Sequence, residues 1–450
     1  MFLRSGTTCD LGGATVTATS PIILSGEGNQ ALIKNGIIKI VGNGTWTDNI
    51  TGVNHLRFEN AGGTVSLWLQ SVIHSLIGEN VFYKSSYVAG SPSLRLTTCL
   101  TARVLNNWFD GYQMQIIKID GSASVIPLHI IRDNDFGSTA TAFPAYSDPA
   151  EVAAIHIFDG SNLGCNIEGN LAYLNTKNVF VVSEAPQTHV INNRITCGSG
   201  NYAIDLRHDE NDVADNLISV PSASSGAIAI RNPTNLGEAK YRNHIVNNKI
   251  YGMECTNAVY GVMHNSFICE NHIEAKNHIV LHNSGYNQVA HNRITKYGAG
   301  PWTALNETGS TGLNNIADNI VTSGIGITLN ATGGSVIHHN AGYAIEHHTS
   351  DDTLTLLESG TVHTNLGAGG AVTITLPQTI LSGTTFEFAV MTAQQLRIDP
   401  GAAGAIYING AKQTDDAYIW ADDEGESVKL VADGVGDWVA LGAVGTWTAV

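Results

Sequence analysis

The chain has 450 residues, of which 43% are hydrophobic and only 14% charged, a balance that supplies a buried core and excludes disorder. The formal net charge is −17 and no basic cluster is present, so a nucleic acid or an anionic membrane surface is excluded as the expected partner. A few arginines in a groove could still meet an acidic glycan, because local charge can oppose the global sign.

The opening Met1-Phe2-Leu3-Arg4-Ser5 runs into polar residues and glycine, so neither a signal peptide nor a membrane-inserting segment is expected. Residues 1–50 read as an N-terminal cap with the first coils, through runs such as Ile22-Ile23-Leu24 and Ile37-Ile38-Lys39-Ile40. Cysteines at 9, 99, 165, 197, 255 and 269 show no Cys-x-x-Cys and no metal spacing, and mostly flank strand-like runs. Buried free thiols are expected, with no metal and no cofactor.

From residue 51 to 350 one phrase recurs: an apolar residue, two variable ones, asparagine, one variable residue and usually another apolar one. Its asparagines are Asn80, Asn107, Asn134, Asn170, Asn193, Asn216, Asn248, Asn271, Asn292 and Asn319, with a weaker Asn340. The shortest interval, from 271 to 292, is 21 residues, and the longest, from 134 to 170, is 36. The floor fits one coil of three short strands and three turns, and longer intervals fit coils with inserted loops. Helix-period spacing and the Leu-x-x-Leu-x-Leu of leucine-rich repeats are both absent. Equivalent residues of stacked coils lie about 4.8 Å apart, so the asparagines form a buried ladder along a rod of about 50 Å. The expected fold is an all-β, right-handed, single-stranded parallel β-helix.

Such a core is packed, so chemistry belongs on an outer face. In Ala203-Ile204-Asp205-Leu206-Arg207-His208 alternation buries Ile204 and Leu206 and turns Asp205 and Arg207 outward. Asp159, Asp205 and Tyr260 each fall eleven residues before a coil asparagine, at 170, 216 and 271. The resulting stripe offers Asp159, Glu184 and Asp205 as catalytic candidates. Arg207, His208, Arg231, Tyr260, His264, His282 and the loop residue Trp302 are the substrate-binding candidates. Paired carboxylates suit glycoside hydrolysis, and Glu184 and Asp205 would stand about 5 Å apart if their columns matched. A lyase instead needs a cation beside a uronate and a base, which Arg207 or Arg231 with Tyr260, His208 or His264 could supply. The carboxylate-rich stripe favours hydrolysis by a small margin. Asp209-Glu210-Asn211-Asp212 reads as a solvated turn before a Ca²⁺ loop. The neighbours His338-His339 and His347-His348 point to opposite sides of a strand, which argues against shared metal ligation.

Residues 351–450 lose the phrase and alternate as strands, among them Val372-Thr373-Ile374-Thr375-Leu376 and Thr385-Phe386-Glu387-Phe388. A small C-terminal β-sandwich is expected, with Trp420, Trp438 and Trp447 sheltered in a trimer interface.

The asparagine-marked coils resemble parallel β-helix proteins of the pectate-lyase and phage-tailspike type. The ending resembles C-terminal domains of phage tail proteins, through Gly383-Thr384-Thr385-Phe386-Glu387-Phe388, Ile406-Tyr407-Ile408-Asn409-Gly410 and Asp437-Trp438-Val439-Ala440-Leu441-Gly442. The resemblance implies a homotrimeric tailspike, on a phage virion or released at lysis, that binds and cleaves a bacterial surface polysaccharide. No particle-attachment domain precedes the helix, so the chain would dock on another phage tail protein or lack a removed segment. The competing readings are a non-catalytic glycan-binding fibre and a free-standing lyase or epimerase on the same helix.

Overall fold

The computed structural model describes every residue outside 1, 13, 21, 28–30, 43–50, 61–64, 85–91, 112–114, 121–128, 138–152, 159–163, 175–178, 198–201, 221–225, 231–239, 253–256, 276–277, 297–301, 309–312, 322–324, 329–334, 339–344, 378–381 and 403. It is all-β and divides into two units, residues 1–284 with 296–300 and residues 285–295 with 301–450.

In the first unit each coil gives one strand to each of three parallel sheets. One coil shows the plan: Tyr202–Leu206 lies on what is called here the third face, Asp212–Ala214 on the first, and Leu217–Ser219 on the second. Coils stack in register, with His189, Asp212 and His244 paired on the first face and Val182, Asp205 and Ala229 on the third. Period-two alternation sends one set of residues inward, so Val53, Ile77, Val104, Ile131, Ile167, Val190, Val213, Ile245 and Ile268 are all fully buried. Each such side chain contributes about 1.5–3 kcal/mol. On the second face Phe58, Phe82, Phe109 and Phe136 stack at 4.9, 4.8 and 5.1 Å between ring centroids.

The corner between the first and second faces is built the same way in coil after coil. Asp133 and Asn192 precede ladder asparagines and take left-handed φ values of 55° and 55°. Asparagine, aspartate and glycine tolerate that region best, which explains why they recur just before the ladder. The next residue points its amide inward: Asn134 Nδ2 donates to the Val104 carbonyl at 2.8 Å and to Asn170 Oδ1 at 3.1 Å. Its own Oδ1 accepts the Asn107 backbone N–H at 2.9 Å. The turn backbone, which has no strand partner, is thereby satisfied without water.

A second ladder, absent from the sequence expectations, runs along the corner between the third and first faces. Thr188 N donates to Asn211 Oδ1, Asn211 N to Asn243 Oδ1, and Asn243 N to Ser266 Oγ, each at 3.0 Å. Of the cysteines, Cys9, Cys99, Cys165, Cys197 and Cys269 are free, and Cys255 lies outside the described residues. Burial pushes the Cys99 and Cys197 thiols up to about 12, so both stay protonated and inert.

The second unit holds further coils and then a two-sheet region. Asn292 and Asn319 continue the ladder pattern with an Nδ2–Oδ1 bond of 2.9 Å, whereas Asn340 lies outside the described residues. Seven strands, from Ile345–His347 to Ala411–Lys412, form one sheet, and five, from Asp352–Thr353 to Thr448–Ala449, form the other. Their early strands pair parallel, Val362–Thr364 with Thr385–Ala389 for instance, and their later ones antiparallel except Ile406–Ile408 with Trp438–Val444. Between the sheets lies a core of Phe386, Phe388, Ile374, Ile398, Leu430 and others. Trp438 and Trp447 belong to that core, 0% and 3% exposed, and Trp420 is half-buried. Exposed apolar positions of this region include Ile345, Leu366, Met391, Val435, Leu441, Val444 and Val450.

Candidate functional site

The third face of the first unit carries a polar surface arranged in two outward columns. Register places Lys39, Trp68, Arg95, Lys118, His156, Val182 and Asp205 in one column. The second column contains Thr97 beside Asp120, and Phe158, Glu184 and Arg207 hydrogen-bond through their backbone N–H groups to Ile119, Ile157 and Ser183.

At the N-terminal end, cations and rings alternate. The Lys39 ammonium sits 4.0 Å above the Trp68 ring, and the Arg95 guanidinium is 4.9 Å from it. Trp68 Nε1 donates to Thr97 Oγ1 at 3.0 Å, and that hydroxyl donates to Asp120 Oδ1 at 2.6 Å. Arg95 donates to the other Asp120 oxygen at 2.7 Å, and Lys118 stands 3.7 Å from it. Lys118 also reaches over Phe158, 5.7 Å from the ring, which is half exposed. None of these residues was among the sequence candidates. Period-two alternation marks Arg95 and Lys118 as outward, but only the register reveals that they align with Trp68.

Further along, Arg207 bridges two carboxylates, donating to Glu184 Oε1 at 3.0 Å and to Asp205 Oδ2 at 3.4 Å. Gln115 Nε2 lies 3.0 Å from His156 Nδ1, and His156 Nε2 lies 4.0 Å from Glu184 Oε1. Because an amide nitrogen can only donate, this orientation makes Nδ1 the acceptor and puts the neutral ring's proton on Nε2, facing Glu184. Glu184, with its side chain 28% exposed, is the outer end of a network whose other members are buried.

The sequence candidates divide accordingly. Glu184, Asp205 and Arg207 come together, but Asp205 pairs with Val182 rather than Glu184, so the two carboxylates occupy different columns. Asp205 is only 1% exposed, and the one guanidinium of Arg207 holds both carboxylates, at 3.0 Å from Glu184 and 3.4 Å from Asp205. Tyr260 does share the Asp205 column, two coils on through Ala229, and stacks on His282 at 6.4 Å. His208 and His264 sit at the corner instead: His208 Nδ1 accepts the Asp209 N–H at 2.8 Å, and His264 packs on Tyr241 at 5.5 Å. Asp159, Arg231 and the Trp302 side chain lie outside the described residues. The position that eleven-residue counting assigns to Asp159 is filled by His156, which pairs with Val182.

Two other polar groupings lack such a stripe. Asp212 accepts from His189 and His244 on its two sides, at 2.6 and 2.8 Å. The His189 hydrogen bond, opposed by partial burial, holds the Asp212 carboxyl below its ordinary range. Glu210 is held by Gln187 and Arg242, and Asn211 belongs to the second ladder, so the 209–212 turn is committed to neighbouring coils rather than to Ca²⁺. A cleft lined by His74, Ser75, Leu76, Thr101 and Arg103 opens on the first face with no carboxylate among those residues.

No protein-family model and no curated protein matches the chain. Among solved structures, a PL6 alginate lyase in complex with trisaccharide superposes with a TM-score of 0.50 at 13% identity, covering 70% of this chain and 79% of that one. The fold is a right-handed parallel β-helix. At that identity the likeness speaks for the fold, as the asparagine repeat had indicated, and for nothing finer.

Proposed function

We propose that the protein degrades an acidic, uronate-bearing polysaccharide by β-elimination, with the glycan laid along the third face of the first unit. The observation that carries this reading is the accessible row of Lys39, Arg95 and Lys118, in register with Trp68 and beside Phe158, on a chain of net charge −17. Rings offer sugars an apolar platform, and cations facing carboxylates are of no use to a neutral glycan. Elimination needs a cation against the uronate and a group that takes the adjacent proton. Arg95 and Lys118 fill the first role and Glu184, the exposed carboxylate of the face, the second. The fold is one that an alginate lyase also uses, which is compatible with elimination, whereas the carboxylate count alone favoured a hydrolase.

The test is to follow reducing ends and the ultraviolet absorbance of unsaturated products on polyuronates and on neutral glycans. Both should rise on polyuronates only, and Lys118→Ala or Glu184→Gln should abolish the rise. Reducing ends without absorbance would overturn elimination. A second reading, adhesion without cleavage, is favoured by the engagement of Glu184 and Asp205 with Arg207, and binding without either product would establish it. In either case the proposed setting is a phage-type tailspike: a homotrimer on a virion or released at lysis, attached to another tail protein and aimed at a bacterial surface polysaccharide. The C-terminal motifs support it, as do the exposed Leu441 and Val444.

A further inference from the structure

In the second unit, two strands bring together histidines that are far from adjacent in sequence. Ile345–His347 and Val362–Thr364 pair parallel, with Glu346 opposite His363. His347 turns one way, its Nδ1 2.6 Å from Thr364 Oγ1. His348 turns the other way, as neighbours in an extended chain must, and its Nε2 stands 3.0 Å from His363 Nδ1. Glu346 Oε2 is 3.8 Å from the same Nδ1. The three donor atoms all lie within 4.8 Å of one another. His347 and His348 therefore share no ligand site, as the sequence implied, but His348 finds a partner that sequence distance concealed.

We propose that Glu346, His348 and His363 form a binding site for a divalent transition-metal cation of the Zn²⁺ class, through two imidazole nitrogens and one carboxylate oxygen. Two nitrogen donors select against Ca²⁺ and Mg²⁺, which take oxygen ligands, and one carboxylate with two imidazoles is a set that Zn²⁺ accepts with a further position open. The surroundings suit that role. Asp352 Oδ2 lies 3.2 Å from His348 Nδ1, so the proton is held on Nδ1 and Nε2 presents its lone pair to the site. His363 is fully buried, with Phe386 and Phe388 each 5.6 Å from its ring, which fixes its orientation. Burial first, and His348 second, push the His363 imidazole down to about 3, which keeps it in the neutral form that ligates. Among the described residues the ion pairs of Glu346 and Asp352 are with His363 and His348, at 3.8 and 3.2 Å, and not with lysine or arginine. A bound ion would tie the strand that opens the two-sheet region to its neighbour.

The test strips the full chain with a chelator, adds ZnCl₂, dialyses, and measures metal per chain, with Co²⁺ as a visible-absorbance probe of a nitrogen-ligated site. About one equivalent should be retained, with a raised thermal midpoint. Glu346→Gln and His348→Ala should each weaken binding at least tenfold, and Asp352→Asn by about 10- to 100-fold. With 17 histidines in the chain, the variants assign the site. If His348→Ala fails to fold, the half-exposed Glu346→Gln decides. Retention of no metal, or equal retention by wild type and Glu346→Gln, would overturn the proposal.

Discussion

Replacing Asn134 by alanine removes the side chain that ties three consecutive coils. Its Nδ2 donates to the Val104 and Arg132 carbonyls at 2.8 and 3.0 Å and to Asn170 Oδ1 at 3.1 Å. Its Oδ1 accepts from the Asn107 backbone N–H at 2.9 Å and from Asn107 Nδ2 at 3.0 Å. Alanine deprives the Asn107 N–H of this acceptor and the Val104 carbonyl of this donor, in a place where Asn134 itself is 0% exposed. Each buried polar group stranded in this way costs about 1–3 kcal/mol, so a loss of about 3–5 kcal/mol is expected. Because coils bond chiefly to their neighbours, the loss should appear locally as well as globally. Native-state hydrogen exchange should show the Asn107 amide losing about a hundredfold or more in protection, and urea unfolding should report the global share. Asn134→Asp keeps the acceptor but loses the Nδ2 donor to both carbonyls and buries a charge, so it should cost at least as much. Protection of the Asn107 amide unchanged within about threefold, or a global loss below about 1 kcal/mol, would refute the reasoning.

Three further substitutions probe other parts of the first unit. Burial pushes the His129 imidazole down to about 4, while its Nδ1 accepts the Ala102 N–H at 3.3 Å. The unfolded chain therefore takes up a proton near pH 6.5 and the folded chain only near 4, so stability should fall across that window by up to about 3 kcal/mol. His129→Asn, which keeps an acceptor, should flatten the fall in urea midpoints measured between pH 7 and 4.5. Lys84, buried and pushed down to about 7, is destabilising once pH falls below the unfolded amine's 10.5; Lys84→Met should raise stability at pH 7 by up to about 4 kcal/mol, read as a higher thermal midpoint. Arg207→Met removes the guanidinium shared by Glu184 and Asp205 and should cost about 3–5 kcal/mol in urea unfolding.

The fold was legible because a buried ladder tolerates little besides asparagine at the first corner, so its period shows through variable loops. The second ladder stayed hidden because its corner accepts any short acceptor side chain: Thr188, Asn211, Asn243 and Ser266 occupy it in successive coils. Each lies five residues before a first-ladder asparagine, and that constant offset was the available signal. The site was only half legible. Counting back from the ladder works for Val182, Asp205 and Tyr260, whose turns have equal length, and fails for the coil of Asn170, where His156 takes the column. The cationic end was missed because its members, Lys39, Trp68, Arg95 and Lys118, come from four coils separated by loops of unequal length, and alignment exists only in space.

The first corner also has a consequence for how such a protein can diversify. After the first two coils, which spend residues 4–7 and 27–31 there, the chain spends two residues between first-face and second-face strands, as from Glu168 to Leu171 and from Ala214 to Leu217. Between second-face and third-face strands it spends residues 138–152 in one coil and only 197–201 in another. Beyond the first two coils, length therefore varies on the approaches to and from the one face that carries the cations and rings, where Gln70 to His74 is short and Ile230 to His244 long. The same rigid frame could be refitted for a different polymer by exchanging those approaches alone, much as a lathe keeps its bed while its tooling is changed.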